Sequence, residues 1–74
     1  MELPDRTLIA RLRERGEHHA IFEAESGQLY VASSEHGAEC IVIQHEEVDW
    51  SGSDTQIAAT LCVNIEQCED EGRH

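Results

Sequence analysis

The sequence predicts an α+β fold, and three observations carry that prediction. Leu8, Ile9 and Leu12 recur at helical spacing. Residues 18–46 contain two glycine turns whose pairings agree on one apolar face. Ser53 with Gln56 makes a helix-start pattern ahead of a second apolar arc. The expected order is an N-terminal helix, a three-stranded antiparallel meander and a C-terminal helix, in one domain over residues 1–74. A chain of this size buries roughly 60% of its unfolded surface, enough for a single small core. A hydrophobic content of 39% is too high for outright disorder.

The first helix takes Pro4 and Asp5 at its start and Gly16 at its stop. Arg11 and Arg15 lie four apart on its solvated side, near the end where the helix dipole favours cations. In the meander, Ser26-Gly27 reads as a two-residue turn pairing Ala24 with Leu29, Phe22 with Val31 and Ala20 with Ser33. A three-residue loop, Glu35-His36-Gly37, then pairs Val31 with Ile41 and Leu29 with Ile43. One face collects Ala20, Phe22, Ala24, Leu29, Val31, Ile41 and Ile43. The other is mixed and holds Ile21, Glu23, Glu25, Tyr30, Ala32, Cys40, Val42 and Gln44.

The last segment supports two readings. As a helix it has Ser53 and Gln56 as a capping box, Gly72 as a stop, and an arc of Ile57, Ala58, Leu61, Cys62, Ile65 and Cys68. As a fourth strand it alternates Ile57, Ala59, Leu61, Val63 and Ile65. The helix accounts for Cys68 and the Ala-Ala pair, whereas Thr60, Val63 and Ile65 have strand preferences. The helix is the expected state, with the strand as its alternative.

Charge is the most informative property for function. Sixteen acidic residues stand against five basic ones, a net charge of −11. Residues 1–15 hold four arginines and three carboxylates. From Gly16 onward Arg73 alone faces thirteen carboxylates, and lysine is absent. Such a chain repels nucleic acid and anionic membranes and is drawn to basic surfaces, including protein grooves that hold DNA or RNA. The acids group as Glu23 and Glu25 on the outer sheet face, Glu46, Glu47, Asp49 and Asp54 around Trp50, and Glu66, Glu69, Asp70 and Glu71 at the C-terminus. Strand residues two apart space carboxylates comparably to successive phosphates. Trp50 and Tyr30 are candidate aromatic anchors within these groups, each also suited to packing on the core.

Other chemistries are poorly served. Cys40, Cys62 and Cys68 with His18, His19, His36, His45 and His74 lack the ligand spacing of a metal site, so no metal or other cofactor is expected. Cys40 and His45 have opposite parity on their strand and make no ready nucleophile–base pair, and no phosphate-cradling or nucleophile-elbow motif occurs. No catalytic residue is assigned. No apolar run exceeds four residues, as in Cys40 to Ile43, and MELPDR has no apolar signal core. Three cysteines without a secretory signal read as buried free thiols in a reducing cytoplasm. Four arginines on one short helix do not make a double-stranded-RNA-binding domain, because the basic patch before a second helix is missing.

Glu23, Glu25, Glu46, Glu47, Asp49 and Asp54, with Glu66 to Glu71, set in a helix, three-strand meander, helix order, give the chain a likeness. It resembles the small acidic phage-encoded anti-CRISPR proteins that mimic DNA. The resemblance is one of architecture and composition along the whole chain. It implies a non-enzymatic, stoichiometric inhibitor in the cytoplasm of a bacterial host, occupying a basic groove of a CRISPR-Cas effector or similar ribonucleoprotein without touching nucleic acid itself. Two other classes stay open: a small adaptor or antitoxin-like module for a basic protein, using Arg11 and Arg15 as well as the acids, and a metal-binding Cys/His protein.

Overall fold

The computed structural model of the chain describes residues 6–36 and 39–71. Pro4, Asp5, Gly37 and Gly72, expected to shape a helix start, a loop and a helix stop, lie outside the described residues. Helix α1, Arg6–Arg15, buries Leu8, Ile9 and Leu12 on one side. It ends at Gly16, whose φ of +79° and N–H bond to the Leu12 carbonyl (3.1 Å) close the last turn. A Cβ at Gly16 meets nothing within 4 Å, so Gly16→Ala adds only backbone strain. A loss of about 1 kcal/mol is expected, read as a lower denaturation midpoint at unchanged m.

Strands β1 (His19–Glu23), β2 (Leu29–Ser33) and β3 (Cys40–Gln44) form one antiparallel sheet in the order β2-β1-β3. The α+β class and the element order are as expected, but the strand pairing is not a meander. β3 pairs with β1, so Val31–Ile41 and Leu29–Ile43 do not form, and Ile21 meets Ile43 instead. The β1–β2 turn also differs. It holds three residues, with Ala24 N–H on the Gln28 carbonyl (2.9 Å) and Gly27, at φ +89°, donating to the Ala24 carbonyl (2.8 Å). That extra residue moves the register by one and gives Ile21–Val31, Phe22–Tyr30 and Glu23–Leu29. A one-residue shift exchanges the two faces of a sheet. Ile21, Leu29, Val31 and Ile43 therefore pack under the helices, and Phe22 and Tyr30 stand on the far side.

The pairing decides the path of the following link. Ser33 lies beside the start of β1 and Cys40 beside its end, so the chain between them must travel the length of β1, about 13 Å at strand rise. It leaves β2 through a turn in which the His36 N–H donates to the Ser33 carbonyl (2.9 Å). His36, at the described start of that link, covers the face away from the helices. His36 packs edge-on against Phe22 (5.3 Å between centroids) and Tyr30 (5.8 Å), and Phe22 stacks on Tyr30 (5.6 Å). Phe22 is fully buried there, outside the main core. A bulge between Ile21 and Phe22 leaves Val42 out of the ladder. Its carbonyl instead accepts from Asn64 Nδ2 at 2.8 Å.

After a short 3-10 turn, His45–Glu47, the last segment is a helix, α2, over Asp54–Glu71, and not a fourth strand. The capping box forms: Gln56 N–H donates to Ser53 Oγ (3.2 Å), and Ser53 N–H to Gln56 Oε1 (3.1 Å). Ile57, Leu61, Ile65 and Cys68 are buried along one stripe, while Val63 points outward at 55% exposure. α1 lies over β1 and β2, and α2 over β3. The core sits between helices and sheet.

Candidate functional site

The loop from His45 to Ser53 is organised by its own carboxylates. Glu46 Oε1 accepts the His18 N–H at 2.8 Å, tying the loop to the α1–β1 turn, where His18 holds a φ of +68°. Glu47 Oε1 accepts the Gln44 N–H (3.4 Å), and Asp49 Oδ1 accepts both the N–H (3.1 Å) and the hydroxyl (2.5 Å) of Ser51. At Glu46 and Asp49 such bonds stabilise the charged form. Glu46 falls below the ordinary carboxyl value chiefly through His18, and Asp49 through Ser51. Asp54, half-buried, lies 3.9 Å from Arg13.

Trp50 serves this loop as a lid. It is half-buried and packs against the core. Its indole N–H donates to the His45 carbonyl (3.2 Å), the His45 ring is 5.0 Å away, and the Arg13 guanidinium sits 5.1 Å over the indole. Tyr30, the other expected anchor, donates its hydroxyl to Glu39 Oε1 at 2.5 Å. That bond to a carboxylate, with burial and the charge of Glu39, pushes the phenol up to about 12. Both aromatics are thus engaged inside the fold. A shallow groove of about 290 Å³ beside the loop is lined by Ile43, Val48, Gly52, Gln56, Ile57, Thr60 and the two loop acids Glu47 and Asp49. No histidine or cysteine lines it.

Glu23 is the expected outer-face residue that the structure places elsewhere. The register shift turns it toward α2, where it is 7% exposed and Oε2 has no hydrogen-bond partner among the described residues. Burial, and then hydrogen bonding and repulsion from Glu69, hold its carboxyl above the usual range. Next to this pair Cys40 and Cys68 are joined by a disulfide (Cα–Cα 6.0 Å), so the expectation of three free thiols is corrected for these two and Cys62 alone is free. The correction has a geometric cause. The helix reading places Cys68 on the buried stripe, and the β1–β3 pairing brings Cys40 beneath it.

The remaining acids gather at one end. Glu25 is exposed in the β1–β2 turn, and Glu39, half-buried before β3, accepts the Glu25 N–H (3.2 Å). Glu66 and Asp70 are exposed and Glu69 half-buried in the last turns of α2. No lysine or arginine occurs between Gly16 and Gly72. At 1.5 Å per residue these turns lie roughly 20 Å along the helix from Asp54 and its Arg13 partner, about two Debye lengths at physiological salt. The expected acidic surface is therefore two regions. One is around Trp50 and is used in local structure. The other comprises Glu25, Glu66, Glu69 and Asp70, and lies beyond the reach of that arginine.

No family model, curated protein or solved structure matches the chain. Among the described residues no three His, Cys, Asp or Glu side chains gather as metal ligands, and no helix is long and apolar enough to cross a membrane.

Proposed function

We propose that the chain is a non-enzymatic binding module that occupies a basic groove of a nucleic-acid-processing complex, in the manner of a DNA-mimicking anti-CRISPR protein. The observation that supports this reading is the placement of charge at the end of α2. Glu66, Glu69, Asp70 and Glu71 occupy the helix end where the dipole disfavours anions, and the last turn holds no basic residue. Glu66 and Asp70 are also a like-charged pair four apart. A sequence selected only for solubility has no reason to set its acids where they destabilise the helix. A partner rich in arginine and lysine reverses that penalty on contact, which makes the same feature an attractive one in the complex. The target is a protein or ribonucleoprotein surface in the bacterial cytoplasm, and neither nucleic acid nor membrane is bound directly.

The test is competition with DNA for purified, guide-loaded CRISPR effectors. Wild-type chain should displace DNA at one-to-one stoichiometry, less well as salt rises, and the Glu25→Lys, Glu66→Lys, Asp70→Lys variant should not. Equal inhibition by that variant would refute the acidic end as the docking surface.

A further inference from the structure

The disulfide clamps a contact that its own neighbours push apart. Glu23 pairs with Cys40 across the β1–β3 ladder, and Glu69 follows Cys68 along α2, so the Cys40–Cys68 bond sits directly beside the Glu23–Glu69 carboxyl pair. Glu23 faces α2 at 7% exposure with Oε2 unpartnered among the described residues, and Leu29 of β2, its other cross-strand neighbour, offers no charge. Beyond this pair, Glu66 and Asp70 add negative charge on the same turns. We propose that Cys40–Cys68 is a thiol-operated latch on the C-terminal turns of α2, and that the Glu23–Glu69 carboxyl pair releases those turns once the bond is cut at neutral pH.

The step is thiol–disulfide exchange with a dithiol reductant. Its thiolate attacks Sγ of Cys40, the more exposed of the two residues, since Cys68 is only 8% exposed. The S–S bond breaks and Cys68 leaves as a thiolate that takes up a proton. The second sulfur of the reductant then displaces Cys40, which is protonated in turn. The protein gains two electrons and two protons, and the reductant closes to its own disulfide. Both sulfurs already lie near the Ile41 carbonyl, at 3.8 Å for Cys40 and 3.6 Å for Cys68. In the disulfide neither carries a hydrogen, and after reduction either thiol can donate there. The closed position is thus retained as a local minimum and is lost only when both carboxylates are charged.

The sign of the pH dependence follows from Glu23. Its folded-state midpoint is raised, by burial first and by Glu69 second, with the positive amino terminus acting in the opposite direction. The folded form therefore binds the proton more tightly than the unfolded chain. The contact is stable below the ordinary carboxyl value and is lost as pH rises through the folded-state value. The reduced chain is closed in mild acid and open at neutral pH. The oxidised chain is closed at both.

Hydrogen exchange tests this in the chain alone, with no partner, so its outcome is separate from that of the DNA competition. Exchange at residues 66–71 is compared between oxidised and phosphine-reduced protein at the same pH, relative to β1 amides. At pH 7 reduction should accelerate it by about tenfold or more, and at pH 4.5 by less than about threefold. Reduced Glu23→Gln at pH 7 should behave as reduced wild type does at pH 4.5, and Glu69→Gln provides the same comparison if Glu23→Gln fails to fold. Unchanged protection on reduction at pH 7, or equal acceleration at both pH values and in the glutamine variant, overturns the latch.

Discussion

The triple variant Glu25→Lys, Glu66→Lys, Asp70→Lys is expected to lose its partner and to become more stable than the wild type. The two effects have one cause. On α2, lysines at positions 66 and 70 turn an unfavourable interaction with the helix dipole into a favourable one, and the lysine at position 66 gains Glu69 three residues on. The like-charged 66–70 pair persists with its sign changed, so it cancels from the comparison. Each remaining interaction is a few tenths of a kcal/mol at an exposed site, and together they amount to about 1 kcal/mol. In a domain of this length that raises Tm by roughly 4–8 °C. None of the three carboxylates makes a hydrogen bond or ion pair among the described residues, so no such bond among them is lost. Binding moves the other way, because three attractive contacts with a basic groove become repulsive. Calorimetry with the competition assay reads both. A stability gain without loss of competition identifies the acids as solvated surface only. Reversing Glu46, Glu47 and Asp49 is a poorer test, since these acids hold the His45–Ser53 loop through His18, Gln44 and Ser51.

Removing the Cys40–Cys68 bond, by Cys40→Ser with Cys68→Ser, should lower stability far more than any surface change. The bond closes a loop of sequence separation 28. The chain-entropy relation gives roughly 3–4 kcal/mol for a loop of that size, through the unfolded state. A domain of this length has in total about 4–11 kcal/mol to lose. The variant should therefore sit near the edge of folding at 37 °C, with the shortfall visible as a denaturation midpoint well below that of the oxidised wild type. A shift of under about 1 kcal/mol would mean that the unfolded chain is already compact around these residues.

Much of the fold was legible because it depends on short-range rules. Gly16 stops α1 through its own backbone freedom, and Ser53 with Gln56 starts α2 through bonds three residues long. The stripe of Ile57, Leu61, Ile65 and Cys68 follows from helical periodicity alone. The strand partners were not legible in this way. A three-residue turn at Glu25-Ser26-Gly27 differs from a two-residue one by a single position, yet that position decides which face holds Glu23. One signal was available: Ala20-Ile21-Phe22 is a continuous apolar run, as suits a strand covered on both faces and hence central in its sheet. Leu29-Tyr30-Val31-Ala32 is equally apolar but is an edge strand, so the signal does not discriminate by itself.

The candidate site divides along the same line. A net charge of −11, the absence of lysine and arginine between Gly16 and Gly72, and hence the expectation of a basic partner are read from the residues alone, because formal charge does not depend on folding. So is the acidic end of α2, once the helix is granted. Folding is what separates the carboxylates that hold the Trp50 loop from those that remain at the far end. It also buries Glu23 against Glu69 and brings Cys40 to Cys68. These outcomes depend on contacts between residues 28 to 46 positions apart, and the order β2-β1-β3 that creates them is selected by the packing of both sheet faces at once. No local pattern encodes that choice, since it is an energy of the assembled core and the link over Phe22 together.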